Sequence, residues 1–130
     1  SLDKPVEAAQ DYLEWISRQE TRRADGNLLP GESQVLPLAS GIRYNLSFEA
    51  PAGQSVTLSA RTRAEADTDP LIVLLDSGGQ PIAGDDDSGD NFDAVISDFV
   101  IPSDGSYTLV VSHAGGSPDG AIRVLLELGE

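Results

Sequence analysis

A chain of 130 residues with 22 acidic and 8 basic side chains has room for one domain around one core, and its formal charge of −14 repels nucleic-acid phosphates and anionic membrane surfaces. The partners that such a charge favours are cations, basic surfaces and neutral polymers. The lack of cysteine excludes disulfides and thiolate metal sites, which leaves the redox compartment open.

No apolar run reaches the length of a membrane span and no signal peptide opens the chain. The expectation is a processed secreted protein or an internal piece of a larger one. Residues 1–27 read as an N-terminal helix and linker, and residues 28–130 as the folded domain proper. The pattern predicts one amphipathic helix from Asp3 to about residue 24. Asp3 is placed to cap it, Pro5 is tolerated in its first turn, and Val6, Ala9, Leu13 and Ile16 recur at helical spacing. Ala8, Tyr12 and Trp15 widen that stripe. Arg18, Arg22 and Arg23 lie toward the carbonyl end, where the helix dipole favours positive charge, and Asp25-Gly26-Asn27 supplies the stop. Such a stripe is expected to pack on the domain that follows it or to connect that domain to an upstream one.

After Gly31 the period changes from 3.6 to 2. Gln34 to Leu38 reads as a first strand, and Pro37 places it at a sheet edge because proline cannot donate to a ladder. Ile42, Tyr44, Leu46 and Phe48 alternate with polar residues, as do Val56, Leu58 and Ala60. With the Pro51-Ala52-Gly53 turn between them, these two strands are expected to form a hairpin. Pro70 to Leu75 (PLIVLL) is a continuous apolar run, the mark of a strand covered on both faces. Asp76-Ser77-Gly78-Gly79 then turns the chain into a short strand from Gln80 to Ala83. Val95, Phe99 and Ile101 are expected to share one face of the next strand. Tyr107, Leu109 and Val111 are expected to face inward on the following one, and Ile122, Val124, Leu126 and Leu128 on the last. About eight short strands with turn signals between them predict an all-β, antiparallel two-sheet sandwich, jelly-roll-like, preceded by the single helix.

The densest chemistry is the run Asp85-Asp86-Asp87-Ser88-Gly89-Asp90-Asn91, with Asp93 just beyond. Adjacent carboxylates repel, so water must screen them or a cation must neutralise them. Crowded hard oxygens suit Ca²⁺, although the spacing is neither that of an EF-hand loop nor a calcium-binding nonapeptide repeat. On the residues alone both readings stand: a solvated acidic loop, or a calcium site.

The stretch Asp69 to Asp87 (DPLIVLLDSGGQPIAGDDD), followed by Pro102 to Val111 (PSDGSYTLVV) and by Gly120 to Leu126 (GAIRVLL), resembles the bacterial pre-peptidase C-terminal domain family, which is related to the collagen-binding domains of clostridial collagenases. The resemblance covers roughly residues 30 to 128 and departs from the family at Ala121, where a tyrosine is usual. It implies a β-sandwich accessory domain of a secreted or extracytoplasmic bacterial protein. Such a domain helps an enzyme, often a peptidase, in targeting, substrate binding or folding. It also implies calcium as a structural cofactor and brings Asp69 beside the acidic loop. The candidate metal set is therefore Asp69, Asp85, Asp86, Asp87, Asp90, Asn91 and Asp93. The implied partners are the parent protein's catalytic domain and an extracellular protein or polysaccharide.

Enzymatic signatures are lacking in the sequence. There is no Gly-x-Ser-x-Gly elbow and no phosphate-cradling loop, and the one histidine, His113, ends a strand, a position expected to be a surface or turn residue. The reading is a non-catalytic module. Two alternatives stand beside it: a structural or protein-interaction sandwich without a ligand, and a small hydrolase, which would need a cleft holding a carboxylate pair.

Overall fold

The computed structural model describes residues 4–62, 68–86, 93–113 and 120–129. One helix, α1 (Lys4–Gln19), is followed by nine strands: β1 (Arg22–Asn27), β2 (Gln34–Leu38), β3 (Ile42–Ala50), β4 (Ser55–Thr62), β5 (Pro70–Leu75), β6 (Pro81–Asp85), β7 (Ala94–Val100), β8 (Gly105–His113) and β9 (Gly120–Leu128). They form a five-stranded sheet in the order β1-β3-β8-β5-β6 and a four-stranded sheet in the order β2-β9-β4-β7. The fold is the expected β-sandwich, and β2, with Pro37 opposite Ala121, is an edge strand as the proline required.

The core lies between the sheets. Leu46, Phe48, Ile72, Leu74, Tyr107 and Leu109 from one sheet meet Val56, Leu58, Ile122, Val124 and Leu126 from the other, all buried. Phe48 and Tyr107 are register partners whose rings stack at 6.0 Å. Strand β5 is buried at every residue, as its continuous apolar run predicts. Ile72 and Leu74 face the sandwich core, while Leu71, Val73 and Leu75 face the other way, into a second cluster with Val110, Ala9 and Ile16. Helix α1 thus covers the outer face of the five-stranded sheet, with Tyr12, Leu13 and Trp15 packed at the margin. Asp3 lies outside the described residues, as does the side chain of Val6.

Five expectations are corrected. The helix stops at Gln19, not near residue 24, and the segment expected to be helix and linker, 1–27, contributes β1 to the sheet, parallel to β3. The amides of Thr21 and Arg22 donate to Gly41 O at 2.8 and 3.2 Å, which turns the chain toward β3. Secondly, β3 and β4 do not form a hairpin. They belong to opposite sheets, so the Pro51-Ala52-Gly53 turn crosses between layers. Their matching alternation reflects two apolar faces looking at each other across the core.

Thirdly, Val95 is only half-buried, whereas Ala94 and Ile96 are buried. Val56 pairs with Phe99 but Leu58 pairs with Ile96, so Ser97 and Asp98 oppose Thr57 alone. This bulge, with Asp98 at φ 50°, shifts the inward phase from Ala94 and Ile96 to Phe99 and Ile101. Fourthly, Leu128 is 51% exposed because it ends β9 where the sheet runs out. Finally, His113 is buried, not at the surface, as the register partner of Pro70.

Candidate functional site

The topology brings the described candidate aspartates, Asp69, Asp85, Asp86 and Asp93, to one end of the sandwich. Strands β5 and β6 are antiparallel with Ile72 opposite Asp85, so Asp69, which precedes β5, and Asp86, which follows β6, leave the sheet at the same end. Strand β7 starts there too. The Val95 amide donates to Asp85 Oδ2 at 2.7 Å, a bond that ties the five-stranded sheet to the start of β7, an edge strand of the opposite sheet.

Asp93 is buried and committed to β4. Its Oδ1 accepts from the Thr62 amide at 2.8 Å and from Thr62 Oγ1 at 3.3 Å, while Oδ2 accepts from Arg61 Nη1 at 3.4 Å. A buried carboxylate is stable only when hydrogen-bonded and paired, and these three donors meet that condition. Its role is that of a cross-strand tie. Of the candidate metal residues, Asp69, Asp85, Asp86 and Asp93 are therefore placed at one end, whereas Asp87, Asp90 and Asn91 lie outside the described residues. Among the described residues, no three of the histidine and carboxylate side chains come together as a metal-holding group. The oxygen chemistry fits Ca²⁺, but the described donors alone do not make a calcium site.

Two further polar assemblies escaped sequence reasoning. On the β1–β3 surface, Glu20 binds Arg23 at 3.0 Å and Arg43 at 3.5 Å, Arg43 Nε donates to Asn45 Oδ1 at 2.9 Å, and Asn45 Nδ2 donates to Asp25 Oδ1 at 3.1 Å. The hydrogen bond from Arg23 holds the Glu20 carboxyl below its ordinary value, and burial lowers the Arg43 guanidinium from its own. This chain of contacts stitches the otherwise polar β1 to the sheet. The second is a cleft of about 350 Å³ lined by Asp11, Tyr12, Trp15, Arg18, Leu71 and Asp86. The helical spacing of its α1 residues was visible in the sequence. Its other wall was not, because only the packing of α1 on β5 and β6 brings Leu71 and Asp86 to it.

The tyrosines of the sheets are structural. Tyr44 is buried and its hydroxyl donates to Pro37 O at 2.5 Å. Burial raises its pKa. Tyr107 is buried and donates to Ser103 O at 2.5 Å.

Together these features define a single, mainly antiparallel β-sandwich module with a cluster of aspartates at one end and a helix on its outer face. The chain belongs to the bacterial pre-peptidase C-terminal domain family, whose model matches residues 46–113. Among solved structures, the pre-peptidase C-terminal domain of a collagenase from Bacillus anthracis is similar at 14% identity and a TM-score of 0.56, covering 83% of this chain and 96% of that one. PliG of Aeromonas hydrophila, described as a periplasmic inhibitor of g-type lysozyme, aligns at 11% identity with a TM-score of 0.59, over 84% of this chain and all of its own. CorA of Methylomicrobium album BG8, described as a surface-associated copper-binding protein, aligns at 11% identity with a TM-score of 0.63, again over 84% of this chain and all of its own. At these identities the likeness is one of fold. No curated protein sequence matches the chain. No helix among the described residues is long and apolar enough to cross a membrane.

Proposed function

We propose that the domain is a non-catalytic accessory module of a secreted bacterial enzyme, of the peptidase kind for which its family is named, and that it aids targeting, substrate binding or folding. The family match over residues 46–113 carries this reading. It is supported by the fate of Asp93, a buried carboxylate spent on holding β4 to the start of β7 instead of facing a cleft. An extracytoplasmic location is supported by two proteins of similar fold, one described as periplasmic and one as surface-associated. Calcium belongs to the same proposal. It requires Asp87, Asp90 and Asn91 to complete what Asp69, Asp85 and Asp86 begin at that end of the sandwich.

The test is removal of the whole module, α1 and β1 included, from the parent enzyme. Turnover of a small soluble substrate should stay unchanged, while activity on an insoluble polymer or the yield of secreted enzyme falls. Peptide or glycoside hydrolysis by the isolated domain would overturn the reading. Collagen should be bound weakly by the isolated domain, because Tyr44 and Tyr107, whose rings could offer flat contact area, are buried. Retention of most of the protein on insoluble collagen at moderate salt contradicts that expectation.

A further inference from the structure

We propose that the cleft between α1 and the β5–β6 end of the sheet receives a cationic side chain, an arginine or a lysine carried by a basic segment of a partner protein. Its lining supplies the two things that such a group needs. Tyr12 and Trp15 provide aromatic rings, and Asp11 and Asp86 provide carboxylates, set against the single guanidinium of Arg18.

The rings are only half-buried, although Ala9 and Ile16 on the same helix are fully buried. Trp15 thus packs one part of itself on the apolar cluster and leaves another on the cleft. Trp15, Tyr12, Asp11 and Arg18 stand at helical spacing along one flank of α1, and Leu71 of β5 completes the lining with Asp86. Charge complementarity selects the occupant. The chain carries −14, and the two carboxylates of the lining, Asp11 and Asp86, outnumber its one guanidinium, so the field attracts a cation and does nothing for a neutral sugar. Arginine fits best, because its planar fork can bond a carboxylate while stacking on an aromatic ring.

Trp15 is the only tryptophan and lines this cleft, so its fluorescence responds to binding there. The whole domain is titrated, in EDTA, with an end-blocked Gly-Arg-Gly-Arg-Gly peptide, its lysine counterpart and its citrulline counterpart, which keeps the shape without the charge. The arginine peptide should give a saturable change, the lysine peptide a weaker one and the citrulline peptide none. Asp11→Asn and Asp86→Asn, near-isosteric changes whose folding is checked by melting curves, should each weaken arginine binding by about threefold. Glu127→Gln, which removes an equal charge from the exposed surface of β9 in the other sheet, should not. The proposal fails if citrulline binds as well as arginine, if Glu127→Gln weakens binding as much as the cleft variants do, or if no saturable signal arises. Saturation by a neutral oligosaccharide instead of the arginine peptide would overturn it equally.

Discussion

Gly84 lies against Ala9: a Cβ added at position 84 would stand 3.2 Å from Ala9 Cα and 3.0 Å from Tyr12 Cδ2. The helix backbone rests on β6 only because that strand lacks a side chain there. Gly84→Val should therefore lift α1 from the sheet and cost about 1–3 kcal/mol, the usual penalty of overpacking. A lowered melting temperature with a red-shifted Trp15 emission checks this. An unchanged melting curve would mean that the helix shifts at no cost.

Deleting residues 1–19 uncovers Leu71, Val73, Leu75 and Val110, which are otherwise buried under the helix. Apolar area is worth about 25 cal/mol per Å², so the loss should amount to a few kcal/mol and leave an adhesive face. A lower Tm and self-association in size-exclusion chromatography are expected. A monodisperse protein with the parent's Tm would reduce the helix to a linker.

Asp93→Ala removes the acceptor for the Thr62 amide and hydroxyl and the partner of Arg61. The cost should be about 1–3 kcal/mol, several degrees in Tm for a domain of this size. Asp93→Asn, which can still accept at one oxygen, should cost less. Equal effects of the two variants would show that charge, and not the hydrogen bond, is what matters.

Glu20 links stability to pH. Its folded-state pKa lies below the ordinary 4.5 because Arg23 and Arg43 stabilise the carboxylate. Its contribution is therefore complete above about 4.5 and is lost as pH falls through the lower folded-state value. Partial exposure of the pair keeps the effect below about 1 kcal/mol. Glu20→Gln should be slightly less stable than the parent at pH 7 and equal to it at the acid end, as read by denaturant midpoints at the two pH values. A constant difference between the proteins across that range would remove Glu20 from the acid response.

Calcium is tested by differential melting. A ligand bound only by the native state adds about 2.7 kcal/mol at a hundredfold excess over its dissociation constant, several degrees here. Mg²⁺, which keeps its waters, should do less at matched ionic strength. Asp86→Ala and Asp87→Ala should abolish the calcium-specific shift and keep the fold. Equal shifts with both ions, or none, would reduce the acidic loop to a screened surface.

The site was legible in the sequence to a limited extent. The acidic run was plain, and the convergence of Asp69, Asp85 and Asp86 follows from a hairpin whose turn, Asp76 to Gly79, was itself readable. What Asp93 does was not readable, because its partners Arg61 and Thr62 lie about thirty residues away in another strand and carry no local signal. The cleft beside Trp15 was half-legible, as one helical flank without its opposing wall.

Local patterning by itself determined most of the buried residues, with Val95, Leu128 and His113 as the exceptions. The alternation in β3 and β4, the unbroken apolar run of β5 and the stripe on α1 each record how many faces of an element are covered, and burial is decided residue by residue. Only the tertiary structure decided which elements meet. An alternating strand reads the same whether its successor lies beside it or across the core, so the placement of β3 and β4 in different sheets had no local trace. Strand β1, with the sequence RRADGN, carries no alternation at all, because backbone pairing to β3 and the Glu20–Arg23–Arg43 contacts hold it in place of apolar burial. The bulge at Asp98 and the contact of Ala9 with Gly84 arise likewise from neighbours distant in the chain, whose positions no window of local sequence contains.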